Sequence, residues 1–445
     1  MTSHPAIGDE PTTASARILS RLCPPGRLVG LDVARGIALL AMMVTHIFSL
    51  ADPVGFPTWA AVFAGRASAL FAVLAGCSLV LSTRSRMAES NRLRDAAPSV
   101  LIRAAAIVLI GLCLGSVSTL LAVILVNYGI MFALAMFFLR LRAWALFVLA
   151  GAWMIISPLV SMLLRTEFSL EPEYLPMAWW DLATPVTMVQ DLFLTGYYPI
   201  LQWLSYILLG MAVAKLDVSR HLMGLFLAGL GALLIGRGGS WLLLGPGGGE
   251  TALMQISQQS GIDLLAALHT GSYGVTPTGS WWWQAIAGPH SGTPFDMVST
   301  AGTAVMTIAV CQSAVVLLGR RSWLLSPLSA PGSMPLSVYS AHVVLLEITR
   351  PRFVGDPISG AGTTGEQTSE YLFHALVFVV SALVWKLFVS PRGPLEAGIA
   401  GLIRAVSPQP TRPAGPANSA GPGNPAGPGN PAGPTRPASP PYGTD

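Results

Sequence analysis

The chain has 445 residues, 52% hydrophobic and only 10% charged, with a mean hydropathy of +0.61. A soluble domain carries about 25% charged residues. The missing charge and repeated apolar runs of about 20 residues exclude an ordinary soluble globule and predict an all-α, polytopic membrane helix bundle. The net charge of +4 comes from arginines spread among short loops, which gives no nucleic-acid signal. Cys23, Cys77, Cys113 and Cys311 show no CxxC spacing, so neither a disulfide framework nor a zinc site is expected.

Residues 1–26 form a polar N-terminal segment with no apolar stretch ahead of the first span, so that span is expected to be retained rather than cleaved. About ten transmembrane helices follow, near 29–50, 59–82, 100–118, 121–139, 143–164, 192–214, 221–245, 297–318, 333–349 and 370–390. The run Leu101–Leu139 is too long for one span, and Ser116, Ser118 and Thr119 mark a tight hairpin within it. With ten spans, most arginines, including Arg17, Arg21, Arg84, Arg86, Arg140, Arg142, Arg320, Arg321 and Arg392, fall on one side. The positive-inside rule then makes both termini cytoplasmic in a multi-pass plasma-membrane protein. Two longer segments face outward, 165–191 around Trp179 and Trp180, and 246–296 around Trp281–Trp283; an interfacial aromatic belt accounts for these tryptophans. The membrane domain is taken as 27–405. Residues 406–445 are Pro/Gly/Ala-rich and too poor in apolar side chains to order, which predicts a disordered tail.

Ionisable residues inside spans mark the candidate chemistry, because a charge in lipid costs about 2.5–3.5 kcal/mol or more unless it faces protein or water. In the first helix Asp32, Arg35 and His46 fall within about 60° of one another around the axis. Asp32 and Arg35 can pair as a structural lock, or Arg35 can meet an anionic ligand from the cytoplasm. Arg66 enters the second span near the level of His46, where it either snorkels or binds an acceptor or carbonyl oxygen. In the ninth span Tyr339 and His342 are spaced i, i+3 and share a face. His290 lies in the outer loop GPHSGTPFD, whose polar neighbours are expected to keep the imidazole hydrated and titrating near neutrality. The candidate bases are ranked His290, His46, His342, with Tyr339 as a further proton carrier. Thr300, Thr303 and Thr307 either line the same cavity or bond between helices. His221, His269 and His374 lack comparable company and are taken as structural. No phosphate loop, GxSxG elbow or HExxH occurs, and no metal site is expected.

The string GLDVARGIALLAMMVTH resembles the opening helix of the heparan-alpha-glucosaminide N-acetyltransferase-like proteins and their bacterial YeiB-like relatives. The resemblance recurs in YYPILQWLSYILLGMAVAKLD, PHSGTPFDMVSTAGTA, GSMPLSVYSAHVV and RGPLEAGIAGLIR. It implies a transmembrane acyltransferase that takes an acyl group, acetyl above all, from cytoplasmic acyl-CoA to an extracytoplasmic saccharide or lipid-linked acceptor. Asp32, Arg35 and Arg66 would serve donor binding, with acyl-CoA as co-substrate and no metal. The family's catalytic His lies in the loop after this helix. Ser49–Trp59 contains no His here, and His46 sits beside that position. The alternative is a non-enzymatic transporter or export factor for a small molecule or lipid, using the same buried charges as a pathway. Beyond the bilayer, donor and acceptor, a homo-oligomer stays open as a partner.

Overall fold

The computed structural model describes residues 21–22, 26–90, 92–117, 121–353 and 362–406, and every structural statement below concerns these. They are helical between loops, with one isolated bridge, Ala51 to Pro57, and no strand among them. Helices suit such a sequence because an apolar segment must satisfy its own backbone donors and acceptors once out of water. The expected tail, 406–445, lies outside the described residues from 407 onward.

In chain order the helices are α1 (Val29–Ile47), α2 (Arg66–Ser90), α3 (Leu93–Val117), α4 (Leu125–Ala135), α5 (Ala143–Glu167), α6 (Pro185–Gln190), α7 (Ile200–Ala214) and α8 (Leu222–Leu244). There follow α9 (Gly249–Ser260), α10 (Leu264–His269), α11 (Pro294–Leu318), α12 (Ser326–Gly332), α13 (Pro335–Phe353), α14 (Thr364–Phe388) and α15 (Pro394–Val406). Each of the ten expected segments falls largely on helix, and seven helical segments are long and apolar enough to cross a membrane. The others depart from a straight span for visible reasons. The apolar helix Leu125–Phe138 is short, and Pro185–Thr195 meets α7 at a 54° bend. α13 carries His342, Glu347 and Arg350 within its 19 residues.

α1 and α2 are enclosed by the bundle, whereas α8 and α14 turn large apolar side chains such as Leu234, Ile235, Leu376 and Val384 outward. That pattern suits a lipid-facing surface around a protein-lined centre. The outer tryptophans divide differently from the expected belt. Trp281 is exposed, but Trp283 is fully buried against Leu253, Ala267 and Ile286 in a small second core, so it packs the loop domain rather than anchoring a lipid interface.

α1 sits where it does because glycines let backbones touch. A Cβ on Gly36 would lie 2.0 Å from the carbonyl oxygen of Leu328, and one on Gly332 would lie 1.8 Å from that of Asp32. Only hydrogen fits at either position, so α1 and α12 cross in backbone contact. Gly36→Ala is therefore expected to destabilise the detergent-solubilised protein by about 1–3 kcal/mol or more, read as a lower unfolding temperature. Gly398, whose Cβ would meet nothing within 4 Å, serves as the control. Equal melting of Gly36→Ala and Gly398→Ala would contradict the close crossing.

Candidate active site

The two ends of α1 carry different chemistry, about 21 Å apart at 1.5 Å per residue between Asp32 and His46. At the first end, the buried Asp32 carboxylate accepts a hydrogen bond from Arg35 Nη1 at 2.7 Å and another from Arg27 Nε. Arg35 Nη2 donates to Ser78 Oγ on α2 at 2.9 Å, and Arg27 Nη2 reaches the Ser333 carbonyl at 3.4 Å. One carboxylate thus faces two guanidinium groups, so the cluster locks α1 to its neighbours and still leaves one positive charge unneutralised. The i, i+3 spacing of Asp32 and Arg35 predicts the pair. Arg27 is the added member, five residues before Asp32 and ahead of the first helical turn.

At the other end, His46 in the last turn of α1 is hydrogen-bonded through Nδ1 to His342 Nε2 at 3.2 Å, with the two rings parallel to within 8°. His342 Nδ1 meets His374 Nδ1 of α14 at 3.0 Å. His374 Nε2 meets Thr349 Oγ1 at 2.9 Å, and Thr349 Oγ1 donates to Glu370 Oε1 at 3.3 Å. Arg350 Nη2 donates to the carbonyl of His46 at 2.6 Å, placing a cation at the C-terminal end of α1. The three histidines follow one another in a line rather than converging on a point. Among the described residues no group of three or more His, Cys, Asp or Glu could hold a metal ion.

His374 therefore has company after all, and the expectation that it is only structural is corrected. Thr349, Arg350 and Glu370 were missed as well. Glu370 and His374 stand i, i+4 in an apolar helix, and His342 and Thr349 stand i, i+7. Both spacings put the pair on one helix face, which is the signal that points to them. Tyr339 is corrected in the opposite sense. It makes no hydrogen bond to His342 among the described residues. Instead it is buried with a backbone hydrogen bond involving Ile124, in electrostatic reach of Tyr128 and Tyr198.

His290 stands in the loop before α11 with φ +52°, a left-handed conformation uncommon outside glycine. Its ring packs against Tyr197, Tyr198 and Trp203 at centroid distances of 4.7, 5.7 and 6.1 Å, and Nδ1 is buried with no hydrogen-bond partner among the described residues. Burial first, and the neighbouring His46 second, push its pKa down to about 4. The expected hydrated imidazole titrating near neutrality is thus replaced by a neutral ring in an aromatic cage. The polar letters of the loop point elsewhere: Thr293 Oγ1 donates to the Ile286 carbonyl at 2.5 Å and accepts from Asp296 N–H at 3.1 Å, capping α11.

Two cavities adjoin this region. One, of about 400 Å³, is lined by Arg66, Arg237, His269, Pro289, Asp296 and Thr300 among others, and Arg237 Nη1 donates to the Ala287 carbonyl at 2.8 Å. Arg66 and Arg237 both lie in electrostatic reach of the buried Asp296, so Arg66 faces a pocket and is not simply snorkelling. Thr300 lines the pocket and bonds Tyr206 across helices at 2.7 Å, whereas Thr303 and Thr307 bond back to their own helix. The other cavity, of about 110 Å³, is lined by Glu173, Trp180, Asp181, Asp191, Tyr197 and Tyr198 among others. It shares its two tyrosines with the cage of His290. His221 is exposed beside the carbonyl of its own Asp217 and takes no part.

The depressed pKa of His290 has a signed consequence. In the unfolded chain its imidazole binds a proton below about 6.5, and in the folded chain only below about 4. Stability from this residue is therefore present above pH 6.5 and lost as pH falls from 6.5 to about 4, by up to about 3 kcal/mol. His290→Asn is expected to flatten the melting-temperature profile of the purified protein in that window. An unchanged acid slope would show that His290 is not held neutral.

Residues 27–234, just under half of the chain, match the family profile described as heparan-alpha-glucosaminide N-acetyltransferase, catalytic. No curated protein matches the sequence. The matched segment contains the Asp32 cluster, His46, Arg66 and the tyrosines of the cage, while His290, His342, Thr349, Glu370 and His374 lie beyond it. Residues 27–234, in a chain built of apolar helices, thus match the family that the sequence motifs resemble.

Proposed function

We propose that the chain transfers an acyl group, acetyl above all, from acyl-CoA entering at the cytoplasmic face to a saccharide or lipid-linked acceptor outside. The observation that carries this reading is the family match over residues 27–234 together with the two polar stations on α1. The arginine distribution supports ten spans with both termini cytoplasmic in the plasma membrane, residues 27–405 forming the membrane domain. On that topology the Asp32 cluster opens toward the cytoplasm and His46 toward the outside.

The roles follow from chemistry. CoA carries several phosphate charges, and the excess positive charge of Arg27 and Arg35 around Asp32 suits them. An acceptor hydroxyl or amine must lose a proton as it attacks the thioester carbonyl, and His46 is the base. Its preference over His290 rests on pairing: His46 is held in line by His342, whereas His290 Nδ1 is buried and unpaired. His290 lines the acceptor side with Tyr197 and Tyr198, where a neutral imidazole bonds the acceptor rather than taking its proton. His342 passes charge behind His46, and Tyr339 lies buried in electrostatic reach of Tyr198, one ring of the cage. Arg66, with Arg237, stabilises the carbonyl oxygen or an acceptor anion at the 400 Å³ pocket. Glu173, Asp191 and Trp180 offer acceptors and an aromatic face to sugar hydroxyls.

Export of a small molecule or lipid is the second reading, and the broken helix Pro185–Thr195 with α7, bent by 54°, is the feature that favours it. Thioester cleavage separates the two. With detergent-purified protein and acetyl-CoA, His46→Ala is expected to lower acetyl transfer or thioester cleavage by about 100-fold or more while donor binding holds. Arg35→Ala is expected to weaken donor binding. Wild-type turnover in His46→Ala would sink His46 as the base, and no cleavage by the intact chain would favour export.

A further inference from the structure

The hydrogen-bond line behind His46 has a direction, fixed from its far end. Glu370, as a carboxylate, has only acceptors, so the hydroxyl proton of Thr349 points to it. Having spent that proton, Thr349 Oγ1 accepts from His374 Nε2–H at 2.9 Å. A neutral imidazole carries one N–H, so His374 Nδ1 is bare and accepts from His342 Nδ1–H at 3.0 Å. His342 Nε2 is then bare and accepts from His46 Nδ1–H at 3.2 Å. The remaining nitrogen, His46 Nε2, keeps its lone pair, and it has no hydrogen-bond partner among the described residues.

The geometry points to Glu370, Thr349, His374 and His342 as a positioning relay that sets His46 in the Nδ1–H tautomer and presents Nε2 as the proton acceptor. This deepens the acyl-transfer reading and rests on it for its purpose, but the tautomer itself does not depend on catalysis. When Nε2 takes the acceptor's proton, the imidazolium of His46 keeps its Nδ1–H bond to His342, so the positive charge is held by an in-line acceptor. A proton can also move one place along each bond, from His46 Nδ1 to His342 Nε2, from His342 Nδ1 to His374 Nδ1, and from His374 Nε2 to Thr349, whose hydroxyl proton passes to Glu370. Every donor then becomes an acceptor, the carboxylate becomes a carboxylic acid, and the proton taken at Nε2 is balanced at Glu370. Arg350, bonded to the His46 carbonyl and in electrostatic reach of Glu370, is the fixed charge beside the line.

Nitrogen-15 NMR of histidine-labelled full-length protein in detergent tests the direction, since the chain has only 7 histidines and single replacements assign them. The expected result is His46 protonated on Nδ1 with Nε2 bare in the intact protein. Thr349→Val is expected to abolish that preference and lower thioester cleavage about tenfold or more with acetyl-CoA binding unchanged. Thr349→Ser is expected to restore both the tautomer and the turnover. His46 found with its proton on Nε2 in the intact protein would overturn the relay, as would a tautomer that Thr349→Val leaves in place. The expected tautomer in a protein that never cleaves acetyl-CoA would uphold the relay and overturn the acyl-transfer reading, so the two failures are distinct.

Discussion

Pairing of imidazole nitrogens inside an apolar bundle ties α1 to α13 and α14. An unpaired buried polar group costs about 1–3 kcal/mol, a large share of the stability of any single domain. His46, His342 and His374 avoid that cost by bonding one another, with Thr349 and Glu370 closing the line. The same bonds fix where α13 and α14 stand against α1, so the polar line is both a packing constraint and the source of the chemistry proposed for it.

The other end of α1 is held by charge and by the absence of side chains. Asp32 is buried between Arg27 and Arg35, and directly beside it the backbones of α1 and α12 touch through Gly36 and Gly332. A larger residue at either glycine would push α1 away from α12 and strain the bonds by which Arg27 and Arg35 reach Ser333 and Ser78. Close backbone packing thus supports an ion cluster, and the cluster repays it by leaving no bare carboxylate among apolar helices. Both stations hang on one helix whose length sets their separation.

The helices and the Asp32–Arg35 pair were legible in the sequence because both depend on local spacing: apolar runs of span length and an i, i+3 pair on one face. The membrane character followed from composition for the same reason. His374, Thr349 and Glu370 were not legible as a line, because bonds from α1 to α13 and from α13 to α14 join residues hundreds of positions or tens of positions apart. Their only local sign is Glu370 and His374 one turn apart within an apolar helix. His290 misled because its loop is rich in polar letters. Those groups turn inward to cap α11, and the imidazole is enclosed by three aromatic rings from another part of the chain. Trp283 misled in the same way, a tryptophan in an outer segment that fills a second core.

In the proposed function, one helix joins a donor station on one face to a base near the other. Reconstitution of the full chain into sealed vesicles of known orientation, with acetyl-CoA supplied to one face at a time, tests it most directly. Free CoA thiol is expected only when acetyl-CoA is added on the face that carries the Asp32 cluster. Thiol release of equal rate from either face, or only from the face nearer His46, would contradict it.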